Sequence, residues 1–263
     1  ILEAFKGALT QGYTGEIKAV SLEKEGENKR FFSVSVAPLR KQSGDIYGAV
    51  GIFHDVTDLK GAEQIRIDFV ANVSHELRTP LTSIKGYTDT LLLDVHAGQP
   101  VSKDFLDIIS RNVDRLMNLI RDLLDLSSLE STDVLHKSAI NTAEITSRVS
   151  RQLQGAFLAK SQKLVERYQA PVVTADPRRL EQVLVNLLEN ANKYTPSGGE
   201  IQLSWETERN SILLRVADNG PGIPPEHHGR LFERFYRVDK ARSRDQGGTG
   251  LGLAIVKHIM QRH

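Results

Sequence analysis

Apolar and polar residues alternate over much of the first 57 residues. The clearest alternation is Phe32, Val34 and Val36, and a second run at 47–53 follows the polar turn KQSGD. A period of two predicts strands that bury one face, so we expect these runs to form two antiparallel strands. Weaker patterns predict a further strand, which could pair with them, and a short helix, at residues 16–22 and 1–9 respectively.

From residue 58 to residue 130 the apolar period lengthens to that of a helix. The apolar positions form two stripes, separated by a break at 95–102 that contains Gly98 and Pro100. The first stripe comprises Ile65, Phe69, Val73, Leu77, Leu81, Ile84 and Leu91. The second comprises Phe105, Ile109, Asn112, Leu116, Leu119, Leu123 and Leu126. This pattern predicts a helical hairpin, and we expect a second copy to cover its remaining apolar surface in a four-helix bundle.

After residue 130 helical and strand-like patterns alternate. Helices are predicted at 142–159, at 177–194 and from Leu251 onward, and strands at 163–168, 200–206 and 212–217. The last two strands are adjacent in sequence, which suits a hairpin. Together these elements predict a layered α/β domain.

Composition excludes several classes of function. The chain has 34 Lys and Arg against 33 Asp and Glu, and no basic stripe interleaved with aromatic residues, so we expect no nucleic-acid interface. It has no cysteine, which excludes disulfides and thiolate chemistry. No apolar run approaches the roughly 20 residues of a membrane span. Because the sequence begins with Ile1, we expect a fragment whose upstream part carries any membrane anchor.

The segment FVANVSHELRTPL contains a candidate nucleophile. If Leu77 and Leu81 face the bundle core, His75 points outward, and Pro80 should bend the helix beside it. An imidazole is a nucleophile near neutral pH when one nitrogen is free and the proton on the other is held, and Glu76 is placed to hold it. A lone exposed histidine is usually an ordinary surface residue, but the flanking residues here favour chemistry.

The predicted helix at 177–194 carries a polar face. Asn186, Asn190 and Lys193 recur at spacings of four and three, with Glu189 nearby. Amide oxygens suit a magnesium ion that bridges phosphates, and a lysine adds a mobile positive charge. The alternative is a polar helix face without a ligand.

Two glycine segments follow. In DNGPGIP, Asp218 comes directly after a strand, and a buried carboxylate there can accept a hydrogen bond from an exocyclic amine, although such a string is also a common turn. In GGTGLGLAIV, glycines precede a helix that begins near Leu251, so free amide groups converge where an anion can bind. No Walker ending follows and no strand precedes, which argues against a P-loop and a Rossmann site.

Between the glycine segments, residues 227–246 resemble a lid. Aromatic side chains can anchor it, namely Phe232, Phe235 and Tyr236. Its basic side chains are Arg237, Lys240, Arg242 and Arg244. The charged run 240–244 is alternatively a solvated face.

Taken together, the segment around His75, the hairpin and the nucleotide segments resemble the bacterial sensor histidine kinases over nearly the whole chain. The resemblance implies that His75 accepts a phosphoryl group, that Glu76 is its general base, and that Thr79 orients water when a partner is dephosphorylated. It gives magnesium to Asn190 with Asn186. It implies an ATP site formed by Asn186, Asn190, Lys193, Tyr194, Asp218, Gly220, Gly222, Ile223, Tyr236, Arg237, Gly248, Thr249, Gly250, Leu251 and Gly252.

Within that ATP site, the resemblance implies that Lys193 and Tyr194 contact phosphate or sugar, that Asp218 recognises adenine, and that Arg237 contacts the γ-phosphate. The second glycine segment, which includes Gly247, would grip the triphosphate in the fold shared with gyrase, Hsp90 and mismatch-repair ATPases.

The resemblance also implies a domain organisation. A partial PAS-like sensor module would occupy 1–57, a dimerisation and phosphotransfer hairpin 58–130, and an ATP-binding domain 131–263 whose last strands lie beyond the sequence. The expected fold class is therefore multidomain α+β. The cofactors would be ATP and Mg²⁺, and the partners a second copy of the chain and the receiver domain of a response regulator. The chain would be the cytoplasmic portion of a protein anchored in the bacterial membrane.

Two other functions share these features. A conformational ATPase of the same ATP-binding fold would hydrolyse ATP without an acceptor histidine, and the segment HELRTP on a dimerising helix speaks against it. A signalling scaffold that lost turnover would keep the fold, and the presence of His75, Asn190, Asp218 and Gly250 speaks against that.

Overall fold

The computed structural model describes residues 1–22, 29–130, 134–239 and 248–263. The chain divides into two compact units, Ile1–Val73 and Ser74–His263. The sequence suggested roles for four residues that lie outside the described ranges, namely Lys240, Arg242, Arg244 and Gly247.

The first unit is a three-stranded antiparallel sheet covered on one face by a helix. Helix α1 is Leu2–Gln11, and strands β1, β2 and β3 are Gly15–Leu22, Arg30–Arg40 and Ile46–Asp55 in that spatial order. Val34 and Val36 are fully buried with Ala8 of α1, as the alternation predicted. The strands and the short helix are thus confirmed.

Close packing of α1 on the sheet depends on Gly51, because a Cβ there would overlap the Phe5 ring. Pro38 lies inside β2, opposite Ala49 of β3. A proline is tolerated at this point because the pairing with β1 stops at Val36, so that β2 has a free edge beyond it.

The predicted hairpin consists of α2, Thr57–His96, and α3, Lys103–Glu130. The helices are antiparallel: Asn112 of α3 donates to Ser83 of α2 at 3.5 Å, and the rings of Phe105 and Tyr87 lie 5.1 Å apart. The predicted stripe of α3 is buried or half-buried throughout, and Leu119 and Leu126 are 2% exposed. Pro80 is buried within a continuous α2, and the bend there stays a prediction.

A second apolar stripe of the hairpin faces outward. On α3 it comprises Leu106, Val113, Met117, Ile120 and Leu124, at helical spacings. Leu81 of α2, which the sequence placed towards the bundle core, is 53% exposed in the single chain. A hairpin with one covered and one uncovered apolar face is what a four-helix bundle requires of each copy.

The rest of the second unit is an α/β sandwich. It comprises β4 Ser138–Asn141, α4 Thr142–Ala159, β5 Lys163–Tyr168, β6 Val172–Ala175, α5 Pro177–Tyr194, β7 Glu200–Glu208, β8 Ser211–Asp218, α6 Pro225–His228 and α7 Gly252–Arg262. Strand β7 pairs in parallel with β5 and antiparallel with β8, while β4 and β6 form a separate pair. The multidomain α+β fold class is confirmed.

Helices α4 and α5 pack on one face of the sheet β5-β7-β8. Trp205 of β7 is 2% exposed within this core, and its indole N–H donates to Thr146 Oγ1 of α4 at 2.9 Å. Each helix begins at a capping side chain: Asn141 caps α4, and Asp176 caps α5 ahead of Pro177. These caps fix where the helices start relative to the sheet.

Among the described residues, no helix is both long enough and apolar enough to cross a bilayer.

Candidate nucleotide-binding and phosphoacceptor site

Helix α5 presents the polar face that the sequence predicted. Asn186, Asn190 and Lys193 are all half-buried. The Asn186 side-chain amide donates to the Gln182 carbonyl at 2.9 Å, and its Oδ1 faces the start of α7, where a Cβ on Gly252 would lie 2.6 Å away. The candidate magnesium ligand Asn186 therefore lies at a helix N-terminus that attracts anions.

The last turn of α5 is held by side chains that the sequence analysis did not identify. Lys160 Nζ donates to the carbonyls of Asn192 and Lys193 at 2.6 and 2.9 Å. The buried Gln162 amide donates to the Thr195 carbonyl at 2.7 Å and accepts from Asn192. Lys160 and Gln162 lie about thirty positions before the residues that they contact, so no local pattern indicates them.

Lys193 has an environment suited to phosphate. Its ammonium group lies 5.1 Å from the centroid of the Tyr194 ring. Burial lowers the pKa of Lys193 from its ordinary value, and the positive charges of Arg237 and Arg115 lower it further. Three cationic side chains from α5, the lid and the hairpin thus share one locality, which favours an anionic ligand.

Asp218 ends β8 and organises the turn that follows it. Its Oδ1 accepts from the backbone N–H of Gly220 at 2.8 Å. A Cβ on Gly220 would lie 3.0 Å from the Tyr194 carbonyl oxygen, so glycine allows this turn to approach the end of α5. Asp218 is exposed in this chain, whereas we expected a buried carboxylate. Gly222 follows with a positive φ of 69°.

The second glycine segment meets the lid through its backbone. Gly250 has a φ of 77°, and its carbonyl accepts from the Phe235 N–H at 2.9 Å. A Cβ on Gly250 would lie 2.9 Å from the Phe235 backbone. Leu251 is fully buried, so the segment is anchored where α7 begins.

The aromatic residues of the lid differ in burial. Phe232, which we expected to anchor the lid, is 44% exposed, whereas Phe235 and Tyr236 are half-buried. The Tyr236 hydroxyl lies 2.7 Å from His227 Nδ1, and the Arg230 guanidinium stacks 4.4 Å from the Tyr236 ring. His228 likewise contacts the carbonyl of Ile223 at 2.8 Å. His227 and His228, for which no role was predicted, therefore contact two predicted site residues, Tyr236 and Ile223.

The phosphoacceptor segment lies on the exposed side of α2. His75 and Thr79 are exposed, and the Thr79 hydroxyl donates to the His75 carbonyl at 3.1 Å. Glu76 Oε2 accepts from Arg115 at 2.7 Å and from Arg237 of the lid at 3.0 Å. Two residues predicted for different roles, Glu76 beside the acceptor histidine and Arg237 in the lid, are thus in direct contact.

Known proteins match both halves of this site. Residues 65–132 match the His Kinase A (phospho-acceptor) domain, and residues 175–263 match the Histidine kinase-, DNA gyrase B-, and HSP90-like ATPase family. The chain is 41% identical over 214 residues to the phosphate regulon sensor protein PhoR of Pseudomonas aeruginosa, covering 81% of this chain. The chain belongs to the sensor histidine kinases.

Solved structures of histidine kinases share this fold. The Acinetobacter baumannii histidine kinase AdeS has a TM-score of 0.57 at 28% identity, covering 72% of this chain and 86% of that one. ShkA, solved at full length in complex with AMPPNP, has a TM-score of 0.52 at 27% identity, covering 74% of this chain and 41% of ShkA. The chain spans 48% of the length of PhoR.

In this histidine kinase the hairpin and the ATP-binding domain meet through α3. Three polar side chains on one face of α3 contact the ATP-binding domain: Asp122 accepts from Thr249 at 2.6 Å, Asp125 accepts from Gln182 at 2.8 Å, and Ser128 accepts from Arg179 at 3.1 Å. The Leu129 carbonyl accepts from Arg262 of α7 at 3.0 Å. The second glycine segment and α5 therefore both form hydrogen bonds with α3, the helix that packs against α2 and its His75.

Proposed function

We propose that this chain transfers the γ-phosphate of ATP to His75 and then passes it to an aspartate of a response regulator. The observation that carries the proposal is the contact between Glu76 and Arg237 at 3.0 Å. It joins the residue next to an exposed histidine with the lid of an ATP-binding domain. A conformational ATPase has no need for such a contact with an acceptor helix.

The nucleotide site is proposed from charge and backbone geometry. Lys193 and Arg237 supply positive charge, and at the start of α7 the lack of a Cβ lets Gly250 approach the Phe235 backbone and Gly252 approach the Asn186 side chain. Asp218 recognises adenine, and Tyr194, Gly220, Gly222, Ile223, Tyr236, Gly248, Thr249 and Leu251 complete the pocket. Binding of AMPPNP by the similar ShkA supports an adenine nucleotide as the ligand.

Magnesium, when bound, would neutralise phosphate charge, and the amide oxygens of Asn190 and Asn186 are its proposed protein ligands. Asn186 Oδ1 is placed for this role because the phosphates that magnesium accompanies are proposed to bind beside it, at the N-terminus of α7.

In the forward reaction one nitrogen of the neutral His75 ring attacks the γ-phosphorus. A nitrogen–phosphorus bond forms while the bond from phosphorus to the β,γ-bridging oxygen breaks, and ADP leaves with that electron pair. The proton on the other ring nitrogen passes to Glu76, which keeps the phosphorylated ring neutral. The chain's own contribution is to hold the ring, the carboxylate and the phosphate in line.

A second activity, dephosphorylation of the response regulator, is proposed to depend on Thr79. It lies one helical turn after His75, so that its hydroxyl can hold a water molecule beside the phosphorylated aspartate of a regulator. In the structure this hydroxyl donates to the His75 carbonyl. Its oxygen retains lone pairs that can accept a hydrogen bond from water.

The working form is proposed to be a homodimer. Leu106, Val113, Met117, Ile120 and Leu124 form an exposed apolar stripe on α3, and a second copy of the hairpin would cover it. The domain boundaries 1–57, 58–130 and 131–263, a PAS-like sensor role for the first, and attachment of a cytoplasmic core to the membrane through an upstream segment are part of the same proposal.

Incubation with γ-labelled ATP and magnesium tests the function. We expect label that is stable to base and lost in acid, as for a phosphoramidate. His75→Gln should abolish the label while nucleotide binding persists. His96→Gln is the matched control, because His96 is exposed on the same helix and lies far along it. Label that survives in His75→Gln would contradict the acceptor assignment, and ATP hydrolysis without label would favour a conformational ATPase.

A further inference from the structure

We propose that Arg115, on α3, is a positioning residue for phosphoryl transfer that holds the Glu76 carboxylate beside His75. The inference deepens the proposed kinase function and rests on it. Arg115 lies thirty-nine positions from Glu76 in sequence, and no role was predicted for it from the sequence, so only the folded hairpin brings the two together.

The contact between Arg115 and Glu76 differs from an ordinary surface ion pair. The atoms Arg115 Nη2 and Glu76 Oε2 are 2.7 Å apart, and the two side chains are 12% and 16% exposed. By contrast, the side chains of the pair Lys85 and Asp89 on α2 are 75% and 48% exposed. Exposed pairs are screened by water and hold neither partner firmly, whereas a largely buried, charge-assisted hydrogen bond does.

The Glu76 carboxylate needs a contact that holds it in place, because a glutamate side chain has several rotamers. Glu76 follows His75 on the same helix, but the helix backbone alone does not determine where its carboxylate lies. Arg115 reaches it from the other helix of the hairpin. The same helix contacts the ATP-binding domain through Asp122 and Asp125. Arg115 therefore fixes the carboxylate relative to the helix against which the ATP-binding domain is docked.

Arg237 contacts the same oxygen of Glu76, at 3.0 Å. If Arg237 turns to the γ-phosphate, as proposed above, its contact with Glu76 is lost during the reaction. Arg115 has no proposed contact with phosphate, so it can keep its hydrogen bond to Glu76 throughout the reaction. The carboxylate then keeps its contact with Arg115, and with it its location, at the moment when the His75 proton must be accepted.

The test uses the full chain and initial rates of autophosphorylation at varied concentrations of MgATP. Arg115→Gln should lower kcat by about 10 to 100-fold, the loss that a misplaced catalytic group can cause, with KM for ATP little changed. Arg115→Lys should recover much of the loss, because it restores a cation. Arg111→Gln is the matched control: Arg111 lies one turn earlier on α3, is exposed, and donates to the Asp107 carbonyl of its own helix.

A double-mutant cycle separates a role through Glu76 from an independent role. In a Glu76→Gln background, Arg115→Gln should add little further loss, because its target is already removed. An equal loss in both backgrounds would overturn the proposal, as would an unchanged kcat in Arg115→Gln or a loss confined to KM. Thermal unfolding checks that the variants fold. If Arg115→Gln does not fold, Arg115→Met, which keeps the length of the side chain but removes its charge, replaces it in the same cycle.

The two proposals fail differently. If the kinase function itself is wrong, the wild-type chain takes up no acid-labile label on His75. If only the role of Arg115 is wrong, the wild-type chain is labelled normally and the cycle shows additive losses.

Discussion

Replacing Gly250 by alanine tests the junction between the glycine segment and the lid. Gly250 has a φ of 77°, in the left-handed region, which costs a residue with a Cβ about 1–2 kcal/mol. The added Cβ would also lie 2.9 Å from the Phe235 backbone, which cannot rotate away as a side chain could. Such overpacking costs about 1–3 kcal/mol more.

Gly222→Ala is the matched control for Gly250→Ala. Gly222 has a similar φ of 69°, but a Cβ there would meet nothing within 4 Å. The difference between the variants isolates the clash, so Gly250→Ala should unfold with about 1–3 kcal/mol less stability than Gly222→Ala. For a domain of this size that is a difference in Tm of roughly 2 to 12 °C.

The assay is thermal unfolding without nucleotide, followed by calorimetric titration with MgATP. We expect Gly250→Ala also to weaken binding, because Phe235 immediately precedes Tyr236 and Arg237 of the proposed ATP site. Equal melting temperatures for the two variants would refute the reasoning, since they would show that the Phe235 backbone moves without cost.

Three further predictions concern individual side chains. Burial raises the pKa of the Asp122 carboxyl above its ordinary value of 3.8. Its favourable contribution to the stability of the folded chain is therefore complete below pH 3.8 and is lost as the pH rises through the raised pKa. Asp122→Asn should therefore stabilise the chain at neutral pH and lose this advantage on acidification, as measured by denaturant unfolding across pH. Thr79→Ala should keep most autophosphorylation but slow dephosphorylation of a phosphorylated regulator about 10 to 100-fold in parallel rate measurements. Asp218→Asn should reduce the preference for ATP over GTP in competition binding.

Long helices and strands in which apolar residues recur with a regular period could be predicted from the sequence alone. Helices α4 and α5 have the predicted bounds, 142–159 and 177–194, because each joins a capping side chain to an amphipathic pattern. Strands β4 and β6 were missed. Each has four residues, too few for alternation to be distinguished from chance, and they pair with each other across α4 and β5.

The candidate site was predictable where one segment carries the chemistry. The residues around His75 and on α5 stand in continuous stretches, and the fold places them on the expected helices. Contacts between distant segments left no such signal. Arg115 meets Glu76 across the hairpin, and Asp122 meets Thr249 across 127 positions.

The central claim is that His75 accepts the γ-phosphate of ATP. The most direct measurement is tandem mass spectrometry of the full chain after incubation with MgATP, with peptides prepared at alkaline pH to preserve phosphohistidine. The account predicts phosphate on the His75 imidazole, and its loss in Asn190→Ala if Asn190 helps to hold magnesium. Phosphate on a hydroxyl side chain or on a different histidine, with none on His75, would contradict it.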